Sequence, residues 1–209
     1  MKTEREQWMR NVKGTYDYLP DEQIERNRLI ELLKDSFESY GFNPIETPIL
    51  SMEDVLASKY AGGSEIMKEV YTLSDQGDRA LGLRYDLTVP FAKFISLNRN
   101  KLNYPFKKYE IGKAYRNGPI KRGRKREFIQ ADIDVVGSSS IFSELEFFRM
   151  IGSVSKALDL EVIVKYNDRR VLTSILSSFS IEESSMNSII LTIDKLEKIS
   201  REEILAELS

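Results

Sequence analysis

Three segments of the sequence alternate between apolar and polar side chains, and this alternation constrains the fold more than any other feature. Because successive side chains of a strand point to opposite faces, residues 80–86, 106–116 and 127–136 each predict a strand with one apolar and one polar face. The apolar face of the last segment consists of Ile129, Ala131, Ile133 and Val135. Its polar face consists of Phe128, Gln130, Asp132 and Asp134.

The polar faces also carry small residues beside arginines. Gly82 shares a face with Arg84, and Gly112 and Ala114 share a face with Arg116. The solvated outer face of an antiparallel sheet would explain the polarity, but it would not explain the small residues, which predict open space. We therefore interpret these faces as a ligand-binding surface, with a water-facing sheet as the alternative.

Positive charge is concentrated in one stretch of the chain. Residues 107–126 hold nine basic side chains and one acid, a net charge of +8, whereas the whole chain carries −2. A basic segment on an otherwise acidic chain indicates a phosphate ligand, either a nucleotide or a nucleic acid; a solvated charged loop is the alternative. Neither a P-loop nor a G-x-G-x-x-G pattern is present, so an ATP site on an antiparallel sheet is the simplest interpretation.

The chain contains neither cysteine nor histidine. Disulfides, thiolate and imidazole metal ligands, and nucleophilic sites built on cysteine or on a serine–histidine pair are therefore excluded. The first residues are charged, and no apolar stretch approaches the roughly 18 residues of a membrane span. We expect a cytoplasmic protein without a membrane partner, one that acts by positioning charges.

The remaining pattern predicts an α+β fold, with an antiparallel β-sheet flanked by helices. Asp21 begins a helix that Gly41 ends, Pro90 opens a second, and a third runs from Ile141 to Leu158. Two further strands are predicted at residues 45–50, interrupted by Pro48, and at 160–166. Capping boxes, in which serine precedes glutamate by three residues, predict two final helices; these pairs are Ser180 with Glu183 and Ser200 with Glu203.

Residues 115–119 and 123–134 resemble the second signature motif of class II aminoacyl-tRNA synthetases, in the form found in histidyl-tRNA synthetases. Other segments are similar to that family in the same order along the chain; these are residues 13–20, 46–48, 62–71, 83–88, 167–170 and 193–196. The resemblance implies a class II catalytic core over residues 1–165. It also implies a helical segment, residues 166–209, that leads into an insertion region.

The resemblance implies a role for each matching residue. Arg116 would hold the α-phosphate of ATP and stabilise its transition state, while Phe128 would stack on adenine. Arg124, and less securely Arg122 and Arg126, would contact phosphates or tRNA. The α-ammonium group of histidine would be bound by three residues, which are Asp86, Thr88 and Gln130. Asp134 would bind the imidazole.

The implied reaction joins histidine to its tRNA through a histidyl adenylate. It needs ATP with Mg²⁺ on the phosphates, no metal ligand from the protein, and no side-chain nucleophile. The segment around Pro48 resembles the dimer-forming motif, so a homodimer is implied. Asn117, Gly118 and Lys125 depart from the family pattern, in which an acid often follows the arginine and an aromatic residue is common at the position of Lys125.

Several family motifs have no counterpart in residues 1–209. These are a second histidine-specific motif, the third class II motif with its ATP-binding arginine, and an anticodon-binding domain. We therefore expect the chain to be a fragment that is inactive alone. One alternative is a non-catalytic, synthetase-like regulatory subunit of histidine biosynthesis that binds histidine; another is a nucleic-acid-binding domain.

Overall fold

The computed structural model describes residues 8–57, 67–193, 195 and 199–208. The chain divides into two compact units, residues 1–161 and residues 162–209. The segment 62–66, which resembles a family motif, lies outside the described residues. Among the described helices, none is both long enough and apolar enough to cross a membrane.

The first unit, in the residues that the structure describes, is built from the following helices and strands. The helices are α1 (Pro20–Ser39), α2 (Glu53–Ala57), α3 (Thr88–Asn98) and α4 (Ile141–Ala157). The strands are β1 (Asn43–Pro44), β2 (Leu50–Met52), β3 (Thr72–Ser74), β4 (Ala80–Leu83), β5 (Phe106–Tyr115) and β6 (Glu127–Val136). The helices predicted to begin near Asp21, Pro90 and Ile141 are confirmed, and so are the strands at 80–86, 106–116 and 127–136, within a few residues at their ends.

The larger sheet has the order β1-β5-β6, with β5 and β6 antiparallel over ten residue pairs. The apolar faces of β5 and β6 pack against a core cluster that includes Phe37 of α1 and Met150 of α4. Tyr109 joins this cluster, and its hydroxyl donates to a carboxylate oxygen of Glu38 at 2.6 Å. Burial and that acidic partner raise the pKa of Tyr109 to about 12. The two helices therefore cover one face of the sheet, and the polar face lies on the other side.

The smaller sheet has the order β2-β4-β3 and is antiparallel throughout. Leu56, Val70 and Val89 form its core. Gly82 lies in β4 where a Cβ atom would come within 2.7 Å of the Leu56 side chain. The space predicted beside Gly82 is thus filled by this core and is not available to a ligand.

The single strand predicted at residues 45–50 is wrong. The chain instead forms β1, which pairs in parallel with β5, and then β2, which pairs with β4. Between them, the backbone N–H of Thr47 donates to the Glu110 carboxylate at 2.9 Å. Because this donor is satisfied by a side chain and Pro48 has no N–H, the segment crosses between the two sheets without continuing either ladder.

The second unit contains α5 (Arg169–Ser178), α6 (Glu183–Ile193) and α7 (Arg201–Leu208), with a core of Leu176, Met186 and Ile190. The capping box of Ser200 and Glu203 is confirmed by two reciprocal hydrogen bonds of 2.8 and 3.2 Å. The predicted cap at Ser180 is wrong. This residue has a φ of 60° and lies three residues before α6 begins, and such a left-handed conformation differs from the extended one that an N-cap adopts.

The strand predicted at residues 160–166 is also wrong. Within the described parts of the chain, no strand pairs with this segment, and its apolar side chains are exposed. Alternation alone predicts which side chains would share a face, but a strand also needs a partner for its backbone hydrogen bonds.

Candidate active site

The polar faces of β5 and β6 coincide in one row of paired residues. The strand register places Lys108 opposite Asp134, Glu110 opposite Asp132, Gly112 opposite Gln130 and Ala114 opposite Phe128. These pairs alternate along the ladder with the apolar pairs that face the helices. The two polar faces inferred separately from the sequence are therefore one surface.

Arg84 fills the space predicted beside Gly112. A Cβ atom on Gly112 would come within 2.3 Å of the Arg84 Nη2 atom. Arg84 is buried, and its Nε donates to the carbonyl oxygen of Lys113 at 2.6 Å. The expectation that this space receives a ligand is thus corrected: Gly112 allows an arginine from the neighbouring sheet to lie against the strand.

Glu110 is the ionic partner of Arg84. Arg84 Nη1 lies 2.9 Å from Glu110 Oε1 and also donates to the carbonyl oxygen of Thr47 at 2.7 Å. The same carboxylate oxygen accepts from the backbone and the hydroxyl of Thr47 at 2.9 and 2.8 Å. Since a buried ion pair is favourable only when further hydrogen bonds satisfy it, these contacts stabilise the pair, although the second oxygen, Glu110 Oε2, is buried without a hydrogen-bond partner among the described residues.

Lys108 lies between two carboxylates. Its Nζ atom is 2.6 Å from Asp132 Oδ2 and 2.8 Å from Asp134 Oδ2, and it lies 4.5 Å from the centre of the Phe91 ring. The contact to Asp134 is an ion pair that lacks hydrogen-bond alignment. Burial raises the pKa of Asp134; Lys108 opposes this effect, and the neighbouring Asp132 adds to it.

Asp86 and Thr88 lie together at the beginning of α3. One carboxylate oxygen of Asp86 accepts from the backbone N–H groups of Thr88 and Val89, both at 3.1 Å. This is a capping interaction at the positive end of a helix. It fixes the carboxylate directly after β4 and leaves the Thr88 side chain partly exposed beside it.

Gln130 carries an amide oxygen that is buried and has no hydrogen-bond donor in the structure. Native proteins satisfy most buried polar atoms, so an unsatisfied one needs an explanation. In this case the residue lies on the polar face, opposite Gly112. A ligand that donates an N–H group would supply the missing partner.

Arg116 lies between two aromatic rings. Its guanidinium carbon is 4.4 Å from the centre of the Tyr85 ring and 4.8 Å from that of Phe128. Its Nε donates to the carbonyl oxygen of Tyr85 at 3.3 Å. Cation–π contacts of this kind orient a guanidinium without neutralising it, so Arg116 keeps its positive charge for an anion.

Arg124 is held by Glu69, a residue to which the sequence analysis assigned no role. The guanidinium Nη2 lies 2.7 and 2.5 Å from the two carboxylate oxygens. Glu69 also accepts from the Tyr85 hydroxyl at 3.1 Å, and its backbone oxygen accepts from the N–H of Asn117 at 2.7 Å. The basic loop is thus tied to the segment before β3. No sequence signal pairs these residues, which are 55 positions apart.

A cavity of about 430 Å³ is lined by all three residues predicted to bind ATP, namely Arg116, Arg124 and Phe128. Leu29, Ile30 and Leu33 of α1 contribute apolar walls. None of the four predicted histidine-binding residues lines this cavity. Asp134 instead lines a separate cavity of about 290 Å³ beside the N-terminal turn of α4. The first cavity is also lined by Ile111, Ile129 and Ala131, so it lies between α1 and the apolar face of the sheet, whereas Gln130 and Asp134 belong to the polar face.

The fold has clear counterparts among solved proteins. The structure of histidyl-tRNA synthetase from a Nostoc species matches 96% of this chain with a TM-score of 0.81 at 32% identity. A protein of Bacillus halodurans, described as an ATP phosphoribosyltransferase regulatory subunit/histidyl-tRNA synthetase, shares the fold with a TM-score of 0.62 at 20% identity. The α+β architecture is that of class II aminoacyl-tRNA synthetases.

Sequence comparison narrows this class further. The family model for histidyl-tRNA synthetase matches residues 14–208. Histidine–tRNA ligase 1 of Bacillus cereus is 53% identical over 91% of the chain, and the histidine–tRNA ligase of Wolinella succinogenes is 42% identical over 95%. The chain belongs to the histidyl-tRNA synthetase family. It spans 45% of the length of both of these ligases.

The contact between Gly112 and Arg84 predicts that one methyl group added at residue 112 destabilises the fold. Gly112→Ala should displace the Arg84 guanidinium and weaken its pairing with Glu110, which costs about 3 kcal/mol in the free energy of unfolding, the scale for breaking a buried ion pair. Urea denaturation measures the change. Gly152→Ala is the matched control, because it lies within α4 with open space at its Cβ position and should be neutral or slightly stabilising. Equal stability of the two variants would contradict the assignment.

Proposed function

We propose that this chain carries ATP-binding and histidine-binding contacts of an enzyme that ligates histidine to its tRNA through a histidyl adenylate. The main support for the proposal is that Arg116, Arg124 and Phe128 line the same cavity. Two cations beside an aromatic ring and apolar walls suit a nucleotide, because phosphates pair with guanidinium groups and a flat base packs against a ring.

Arg116 is the proposed catalytic residue. When the carboxylate of histidine attacks the α-phosphate, negative charge develops on the phosphate oxygens, and a positioned guanidinium stabilises that charge. The two rings that flank Arg116 hold its plane, and its Nε is engaged by the backbone of Tyr85. The reaction needs in-line positioning and no protein nucleophile, which fits a chain without cysteine or histidine.

The proposed amino-acid site lies on the polar face and at the beginning of α3. Asp86 provides negative charge and Gln130 an unsatisfied buried oxygen, and both suit an α-ammonium group. Thr88 lies beside Asp86 and can contribute its hydroxyl. Asp134 is the proposed acceptor for an imidazole N–H.

The Mg²⁺ ion enters this proposal with the phosphates of ATP, where it supplies charge neutralisation. In the described part of the chain, no group of three acidic side chains could hold a metal ion. The protein's own contribution is the pair of cations, Arg116 and Arg124. Exposed basic residues of the loop, such as Lys121 and Arg122, are proposed to contact tRNA, in the cytoplasm where aminoacylation takes place.

Two observations support ligation over the regulatory alternative. The curated relatives at 42–53% identity are named histidine–tRNA ligases. A histidine sensor has no need of a cation positioned for a phosphate, whereas Arg116 has a neighbourhood that preserves its orientation and charge.

The role of Arg116 can be tested in a chimaeric enzyme. Residues 14–208 would replace the matching segment of the Bacillus cereus ligase, to which the chain is 53% identical. Arg116→Ala should lower histidine-dependent pyrophosphate exchange by roughly two to three orders of magnitude, the scale for one preorganised transition-state donor. Arg116→Lys should recover only part of the rate, because lysine lacks the planar fork.

Arg79→Ala is the matched control in the same chimaera. Arg79 pairs with Asp75 in the turn between β3 and β4 and is exposed. The Arg79→Ala substitution should leave the rate of pyrophosphate exchange within twofold of that of the unsubstituted chimaera. The 209-residue chain by itself should charge histidine tRNA at less than a tenth of the chimaera's rate. An Arg116→Ala chimaera as active as the Arg79→Ala chimaera would remove Arg116 from the proposed role.

We also propose that the chain forms a homodimer through the segment around Pro48. Pro48 is exposed, and so are the apolar side chains of Ile49, Leu50 and Met52 along the edge strand β2. Light scattering at micromolar concentration should give about twice the 24.2 kDa chain mass. Leu50→Glu should shift the particle to the mass of one chain, whereas Leu97→Glu, on the exposed side of α3, should not. A wild-type mass of one chain would refute the dimer.

A further inference from the structure

Lys108 is a fully buried lysine to which neither the sequence analysis nor the proposed reaction assigns a task. It lies in β5, on the polar face, with an exposed side-chain fraction of 0%. Its Nζ atom contacts a carboxylate oxygen of Asp132 at 2.6 Å and one of Asp134 at 2.8 Å, and the ring of Phe91 lies 4.5 Å away. In the described part of the chain, this ammonium group thus contacts two carboxylates and one aromatic ring.

Among the described residues, Lys108 is the cation that forms ion pairs with Asp132 and Asp134. Glu110 lies two residues after Lys108 on the same face of β5, and its carboxylate is bound by Arg84 and Thr47. The helix α3 contributes only the neutral ring of Phe91. On the other side, Glu144 of α4 lines the same cavity as Asp134 and adds negative charge there. Lys108 is therefore the cation that balances Asp132 and Asp134.

We propose that Lys108 is a positioning residue for histidine recognition, which keeps Asp134 ionised and oriented as the acceptor for the imidazole N–H. This inference rests on the proposed function of the amino-acid site and adds to it a positioning role for Lys108. The two carboxylates are two residues apart on one face of β6, and like charges at such a distance raise the pKa of one partner. Without a cation between them, the pair would share a proton, and a protonated Asp134 would no longer present two acceptor oxygens.

Fold stability alone gives a weak reason for burying this lysine. Replacing a buried ion cluster with apolar side chains of similar volume is often neutral or stabilising. The contact to Asp134 also lacks hydrogen-bond alignment, unlike the contact to Asp132. Lys108 thus donates a hydrogen bond to Asp132 and forms a close ion pair with Asp134, and this contact opposes the effect of burial on the Asp134 carboxyl group.

The first test uses the 209-residue chain and needs no activity. Aspartate carboxyl carbons are labelled with ¹³C, the Asp134 signal is assigned by its loss in Asp134→Asn, and its pKa is measured by NMR titration. Lys108→Met should raise the pKa of Asp134 by at least about one unit, because an opposite charge in contact lowers a carboxyl pKa by 1–3 units. Lys108→Arg should stay near the wild type.

Two further variants separate a charge effect from a general disturbance. Asp132→Asn should lower the pKa of Asp134, because it removes a like charge, and this sign is opposite to that of Lys108→Met. Lys113→Met is the matched control: Lys113 is on the apolar face of the same strand, where it pairs with Glu127, and it should leave the Asp134 titration unchanged. If Lys108→Met does not fold, the lowered pKa in Asp132→Asn still tests the charge balance.

The second test measures recognition in the Bacillus cereus chimaera. Lys108→Met should raise the KM for histidine about tenfold at pH 6.5 and by less at pH 8.5, with the KM for ATP unchanged. Taking the ratio of variant to wild type at each pH removes the titration of the substrate itself. Lys113→Met should leave both KM values near those of the wild type.

The outcomes distinguish the inference from the proposed function. An Asp134 pKa that Lys108→Met leaves unchanged would overturn the positioning role, whatever the enzyme does. A second outcome is that Lys108→Met shifts the Asp134 pKa as expected and yet changes the KM for histidine equally at pH 6.5 and pH 8.5. That result would overturn the link between Lys108 and histidine recognition. A chimaera that exchanges pyrophosphate without any dependence on histidine would instead refute the proposed function, and the NMR result would stand apart from it.

Discussion

The buried contact between Arg84 and Glu110 connects the two sheets of the first unit. Arg84 follows β4 in the smaller sheet, Glu110 lies within β5 of the larger sheet, and Thr47 lies in the segment that crosses between them. Five hydrogen bonds converge on one carboxylate oxygen and one guanidinium nitrogen. Because a buried charge without its partner is strongly destabilising, any arrangement that separates the sheets leaves both charges unpaired. The relative position of α3 and β6, and with it the candidate site, depends on this contact.

The polar face is built largely from charges that neutralise one another inside the protein. Arg84 is balanced by Glu110, and Lys108 is balanced by Asp132 and Asp134. Among the described residues of this face, acceptor oxygens of Glu110, Gln130 and Asp134 are buried without a hydrogen-bond donor. Preorganisation of this kind holds site residues in place before a ligand arrives, which is how fixed charges lower the barrier of a polar reaction.

Periodicity in the sequence was sufficient to predict β5, β6 and the contents of their two faces, because side-chain alternation follows directly from strand geometry. It could not predict pairing across the chain. The error at residues 45–50 arose because that segment crosses from one sheet to the other, and the error at 160–166 arose because alternation does not supply a partner strand. The small residues were noticed correctly but interpreted wrongly: Gly112 receives Arg84 and Gly82 receives Leu56. Lys108 with Asp132 and Asp134, and Arg84 with Glu110, were opposite charges visible on those faces, and they could have indicated internal pairing.

The position of Arg116 between Tyr85 and Phe128 has a consequence for the order of events at the nucleotide site. In this structure the guanidinium lies over the ring that the proposed site offers to adenine. A base arriving on that surface of Phe128 would compete with the arginine for the same π-electrons, so docking of the base and release of the guanidinium towards the phosphates would form a single exchange. The ring of Phe128 would then bind either the guanidinium or the base, so that nucleotide binding itself would release Arg116 towards the phosphates.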